Sequence, residues 1–183
     1  MEIVLLRHGR LDLELGGRVG ADAIPALLEA YNAAGICDSP TSQAVDIAQA
    51  CKAAVCSDLP RSLQSATALG IDDILLTDAM FREIELPYRT WFYPRLSPYA
   101  WFLLFRALWF VGMSNNGISV RQARERARAG AAKLIQISRQ HGSVLFVGHG
   151  LLNRLISRHL LAQGWQGPKS PGTRHWAYEI YRL

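Results

Sequence analysis

The chain has 183 residues, half of them hydrophobic, enough for one domain with a core of its own. Its formal net charge of +5 points to an acidic partner, but the arginines are dispersed and no basic stripe with interleaved aromatics marks a nucleic-acid surface. Cys37, Cys51 and Cys56 are odd in number and lack metal-ligand or oxidoreductase spacing, so buried, reduced thiols are expected.

In chain order, Ile3-Val4-Leu5-Leu6 is apolar at consecutive positions and predicts a buried parallel strand over residues 2–6. No basic region with an apolar stretch and a small-residue cleavage site opens the chain, so a cytoplasmic protein without a signal peptide is expected. Leu11 to Gly20 reads as a loop, either at a functional site or a plain connector, and its glycines lack the spacing of a dinucleotide fingerprint. Asp22 is expected to cap a helix through about Ala34, stopped by Gly35. Thr41 or Ser42 would cap the next, running to about Ala53.

Ala54 to Cys56 predicts a second strand. Asp58 as N-cap and Pro60 in the first turn then predict a helix to Gly70 with Arg61 in its opening turn, where the dipole favours an anion. Ile74 to Thr77 predicts a third strand. Tyr99 to Met113 is the most hydrophobic stretch, but it is short for a bilayer and has Arg106 at its centre, so it predicts a helix packed on the core. Ser119 or Asn116 would open a long helix to about Gln140. Arg121, Arg124, Arg126 and Arg128 alternate there with Ala, Gln and Glu125, as on a solvated face. His141, beside Gly142, suits the negative end of that helix. Ser143 to Val147 predicts a fourth strand, Leu151 to Ala162 a helix, and Ala177 to Arg182 a final edge strand. This alternation predicts an α/β fold, a three-layer α/β/α sandwich on a mostly parallel sheet.

Four segments carry polar groups at predicted strand ends or in loops. The first strand delivers Arg7-His8-Gly9, the second Ser57 and Arg61, the fourth Gly148-His149-Gly150, and Phe81-Arg82-Glu83-Ile84 adds a carboxylate. Strand carboxyl ends are where open α/β sheets bind ligands. An imidazole can attack phosphorus, guanidinium groups can grip phosphate oxygens, and a carboxylic acid can move the proton. No pair among His8, His149 and Glu83 has close metal-ligand spacing, so neither a metal nor a cofactor is expected.

In these segments the chain resembles the histidine phosphatase superfamily, the phosphoglycerate-mutase-like proteins, and within it the phosphatase branch. Arg7-His8-Gly9 matches the first motif, Ser57, Arg61 and Ser65-Ala66 the second with Ser in place of Thr, and Gly148-His149-Gly150 the last. The resemblance implies a hydrolase of the histidine acid phosphatase type, a metal-independent phosphomonoesterase that uses a phosphohistidine and takes a small phosphorylated substrate. It casts His8 as nucleophile, Glu83 as proton donor with Glu85 as nearby rival, and His149 as a catalytic, phosphate-contacting group. Arg7 and Arg61 would bind phosphate, and Arg10, where many relatives carry Glu, Thr or Ser, would add a cation at the mouth. The alternatives are a non-catalytic phosphate-binding or scaffolding domain on this fold, or, less favoured, a phosphomutase. The Gly-x-Trp-Glu-Gly stretch of the phosphatase branch is replaced by Ile84-Glu85-Leu86-Pro87-Tyr88. Residues 1–183 are expected to form a single domain of this kind, with 84–117 as a cap or substrate-specificity segment. There Tyr88, Trp91, Phe92, Tyr93, Trp101 and Trp109 alternate with Arg89, Arg95 and Arg106, suiting an organic phosphate with a flat or apolar leaving group. Neither His159 nor His175 matches a family role.

Overall fold

The computed structural model describes residues 1–183. Its centre is a five-stranded sheet of β1 (Glu2–Arg7), β2 (Ala54–Cys56), β3 (Leu76–Thr77), β4 (Ser143–Gly148) and β5 (Tyr178–Arg182), in the order β3-β2-β4-β1-β5. Only β5 runs antiparallel, on the edge beside β1. Six helices complete the fold: α1 (Ile24–Ala33), α2 (Ser42–Gln49), α3 (Pro60–Ala68), α4 (Pro98–Phe110), α5 (Val120–His141) and α6 (Gly150–Ala162).

Consecutive apolar residues on β1 and β4 are buried on both faces of the sheet, as a parallel strand between two helical layers requires. Ile3, Leu5, Val144 and Phe146 pack with α5 and α6, while Val4, Leu6, Leu145 and Val147 pack with Ala44 and Ala48 of α2 and Ala66 of α3. A third, smaller cluster lies off the sheet, where Ile24 of α1 meets Trp101 and Phe105 of α4. The α4 segment is thus a packed helix, and no helix is long and apolar enough to cross a membrane.

The register positions the site. Arg7 of β1 pairs with Gly148 of β4, and Cys56 of β2 pairs with Val147. Three strands therefore end level, and His8, Ser57 and His149 leave the sheet side by side at its carboxyl edge.

Local differences from the sequence reading have identifiable causes. Asp22 lies inside a 3-10 turn, Ala21–Ala23, so Ala23 rather than Asp22 precedes α1, and Ala34 turns extended before Gly35 is reached. Thr41 caps α2 as expected, but the helix stops at Gln49, because the Ala53 carbonyl must accept from the Leu145 amide at the entry to β2. Leu59, not Asp58, occupies the N-cap of α3, since Asp58 is drawn into a two-point pair with Arg82 at 2.7 and 2.6 Å. That guanidinium holds the Asp58 carboxyl below its ordinary range. β3 shrinks to two residues at the open edge. Ser119 opens α5 through a reciprocal capping box with Gln122, whereas Asn116 takes a positive φ of 58°. Arg126 departs from the solvated face to bond Glu85 at 3.0 Å and the Arg82 and Glu83 carbonyls at 3.2 and 3.1 Å. Cys37 is exposed rather than buried.

Candidate active site

His8 is 2% exposed, and its Nδ1 lies 2.7 Å from the Gly9 carbonyl. A carbonyl only accepts, so Nδ1 carries the hydrogen and Nε2 the lone pair. Burial, reinforced by the neighbouring Arg61 and Arg7 charges, pushes the His8 pKa down to about 3, which keeps the ring neutral. Gly9 is needed for close approach, because a Cβ there would collide with the Trp176 indole and the Asp38 carboxylate. Its amide donates to Ser65 Oγ at 2.9 Å, and that hydroxyl donates to the Arg61 carbonyl at 2.6 Å, so the second motif braces the first.

The His149 ring centroid is 5.0 Å from that of His8. Its Nε2 lies 2.7 Å from Ser57 Oγ, which also accepts from the Leu59 amide at 3.4 Å. Nε2 is the acceptor within reach of the Ser57 hydroxyl hydrogen, so Ser57 donates to it and Nδ1 of His149 carries the ring hydrogen. Nδ1 is buried and has no partner. Burial, with the charges of Arg61 and Arg7, lowers the His149 pKa well below its ordinary value, so this ring too is neutral.

Arg61 is fully buried on α3. Its Nη1 donates to the Tyr31 carbonyl at 2.9 Å and its guanidinium lies 4.9 Å over the Tyr31 ring, but Nε and Nη2 have no acceptor. Arg7 Nη1 donates to the Thr173 carbonyl and its Nε is also orphaned. Buried donors of this kind are costly when unpaired, and here four belong to residues that neighbour one neutral imidazole.

Glu83 accepts at Oε1 from the Ile84 and Leu152 amides at 2.9 and 3.1 Å, and at Oε2 from the Leu151 amide at 3.1 Å. It occupies the amino end of α6, where free N–H groups and the helix dipole favour an anion. It is close enough to Arg61 to favour the charged guanidinium. Glu85 instead pairs with Arg126.

Two cavities flank these groups. One of about 340 Å³ is lined by Arg7, Arg10, Tyr31 and His175, among others. One of about 760 Å³ is lined by Tyr31, Glu83, Glu85, Tyr88, Phe102 and Arg106, among others. Arg10 is exposed at the rim of the smaller one. Arg89 and Trp91 line neither of the two, and Trp91 packs against Trp101 and Phe105.

The sequence reading gave His175 no role, and the structure places it beside His8. Its ring lies 5.5 Å from that of His8 and its Nδ1 3.1 Å from the His8 carbonyl. The next residue, Trp176, sits at a φ of 62°, a costly conformation for a bulky side chain, fixed where its amide donates to the Arg7 carbonyl at 3.1 Å. No local signal marks this, because the contact joins chain ends 167 residues apart.

Two neutral imidazoles and two guanidiniums thus lie together at the carboxyl edge of the mostly parallel sheet of an α/β protein. The family model described as histidine phosphatase superfamily (branch 1) matches residues 3–180, and the chain belongs to that family. Solved structures of the same fold include an open reading frame product of Mycobacterium tuberculosis, with a TM-score of 0.64 at 20% identity over 98% of this chain and 89% of that one. A mycobacterial glucosyl-3-phosphoglycerate phosphatase gives 0.62 at 21% identity over 98% and 88%. Phosphoserine phosphatase from Entamoeba histolytica gives 0.57 at 16% identity over 99% and 96%. No curated protein sequence matches the chain.

Proposed function

We propose that this protein is a phosphomonoesterase acting on a small organic phosphate through a phosphohistidine at His8. The observation that carries the reading is the set of buried donors without acceptors, Arg7 Nε, Arg61 Nε and Nη2 and His149 Nδ1, around a neutral His8. A phosphoryl group would supply their missing oxygens with charge-assisted bonds that strengthen as charge builds in the transition state.

In this mechanism Nε2 of His8 attacks phosphorus in line and the P–O ester bond breaks. The departing alkoxide takes a proton from Glu83, whose Oε2 accepts one protein hydrogen bond and so has room for that proton. Water then gives a proton back to Glu83 as its oxygen attacks phosphorus. The P–N bond breaks, releasing inorganic phosphate and neutral His8. Glu83 is favoured over Glu85 as the acid by position, since it lies at the amino end of α6 within the field of Arg61, whereas Glu85 turns to Arg126. Arg10 stands at the rim, where it would raise the local concentration of an anionic substrate.

The test is hydrolysis of p-nitrophenyl phosphate in the presence of a chelator, with labelled phosphoryl donor trapped on the protein by rapid denaturation. Turnover with an acid-labile, base-stable label that disappears in His8→Ala is the expected result. Turnover of His8→Ala within about tenfold of the parent would overturn the reading.

A further inference from the structure

The larger cavity tells what kind of alcohol the ester carries, an inference that rests on the phosphomonoesterase reading above. Tyr31 and Phe102 belong to the walls of both cavities and meet edge-to-face at 6.2 Å between ring centroids. Arg61 bonds the Tyr31 carbonyl on the phosphate side, while Glu83 lines the larger cavity. An ester with its phosphoryl group at His8 and its bridging oxygen at Glu83 therefore extends its alcohol into the 760 Å³ space, a volume suited to a small organic ligand.

The charges on that wall decide which alcohol fits. Arg82 is committed to both oxygens of Asp58. Arg106 donates to the Ile84 and Glu85 carbonyls at 2.9 and 3.3 Å, and its guanidinium lies 5.0 Å over Trp109. Both guanidiniums are held by protein groups, and so are the carboxylates that the cavity presents, Glu85 by Arg126 and Glu83 by three backbone amides. A second anion on the substrate would lose its water and compete with Asp58 and two carbonyls for those guanidiniums, a desolvation cost with little return. What remains is apolar, from Leu28, Leu86, Tyr88, Phe102 and Leu103, with Asn32 and Asn116 as neutral polar groups.

We infer that the preferred substrate is the phosphate monoester of an uncharged, largely apolar alcohol, aromatic or aliphatic, over esters bearing a carboxylate on the alcohol side. Residues of the 84–117 segment and of α1 form the specificity wall.

The experiment compares kcat/KM for 2-phenylethyl phosphate and O-phosphoserine with the intact protein, alongside Leu103→Lys. Serine is intrinsically the better leaving group, so a preference for the phenylethyl ester reports binding. At least about tenfold preference for 2-phenylethyl phosphate is expected. Leu103 is 73% exposed and lines only the larger of the two cavities, so the Lys variant should fold normally. It should shift the ratio toward phosphoserine by about tenfold while inhibition by inorganic phosphate stays within about twofold. Equal kcat/KM values, a phosphoserine preference, or an unmoved ratio in Leu103→Lys would overturn the inference while acid-labile label and turnover persist. If neither ester is turned over, calorimetric affinities of the same two esters decide it, and equal or tighter phosphoserine binding overturns it.

Discussion

Glu83 Oε1 accepts the Leu152 amide at 3.1 Å, so the carboxylate facing the larger cavity is also the N-terminal cap of α6. His149 is the N-cap residue of that same helix and makes no side-chain cap bond of its own. The helix end that follows the second histidine is thereby satisfied by a residue from a distant loop, and the positions of acid and imidazole are fixed together.

Glu83→Gln weakens the cap and, on the proposed mechanism, removes the proton donor. Alkyl monoesters should slow by about a hundredfold or more and aryl esters by under about tenfold, because only a poor leaving group needs the acid. Unfolding free energy should fall by about 1 kcal/mol, since an amide N–H₂ turned toward the α6 amides cannot accept from them. Inhibition by inorganic phosphate should change little. Equal slowing of both ester classes would assign the proton to another group, and Glu85→Gln is the next variant to measure.

Arg61 is a buried cation with two unused donors, so it should lower the stability of the phosphate-free protein. Arg61→Met is expected to be more stable to urea by about 1 to 3 kcal/mol without phosphate. The parent should gain about 2.7 kcal/mol at phosphate a hundred times its Kd, and the variant nothing. A destabilised variant that keeps its response to phosphate would make Arg61 a structural residue alone.

The His8 pKa, lowered from 6.5 to about 3, sets a direction for acid stability. Between those values the unfolded chain binds a proton at this position and the folded protein does not, so unfolding becomes easier as pH falls. Each pH unit in that window should cost about 1.4 kcal/mol from this group, with His149 acting in the same direction. Above pH 6.5 neither state is protonated and the contribution is flat. Urea unfolding of the parent and of His8→Gln should give a shallower acid slope for the variant; parallel slopes would contradict the neutral, buried His8.

Ser57 holds Nε2 of His149 at 2.7 Å with both side chains fully buried. Ser57→Ala should destabilise by about 1 to 3 kcal/mol through the nitrogen left unpaired. It should also lower kcat by about tenfold, because the His149 hydrogen is no longer confined to Nδ1. A variant with parental kcat would remove His149 tautomer control from the mechanism.

The sequence by itself determined the strands and the short motifs at their ends. Consecutive apolar runs at Ile3–Leu6 and Val144–Val147 can be buried on both faces only between helical layers, and each ends in a short polar motif. The placement of His8 and His149 at strand tips and of Arg61 in a first helical turn was legible because motif spacing reports local backbone geometry that neighbours in the chain impose. Helix ends were read less well wherever a distant partner competed for the capping residue, as Arg82 does for Asp58. Only the tertiary structure decided that Arg7 pairs with Gly148, that Glu83 caps α6, that His175 stands beside His8, and that Arg82 pairs with Asp58 and Arg106 with two carbonyls at the larger cavity. These relations join residues far apart in the chain, and their geometry comes from strand register and core packing, which no local preference encodes.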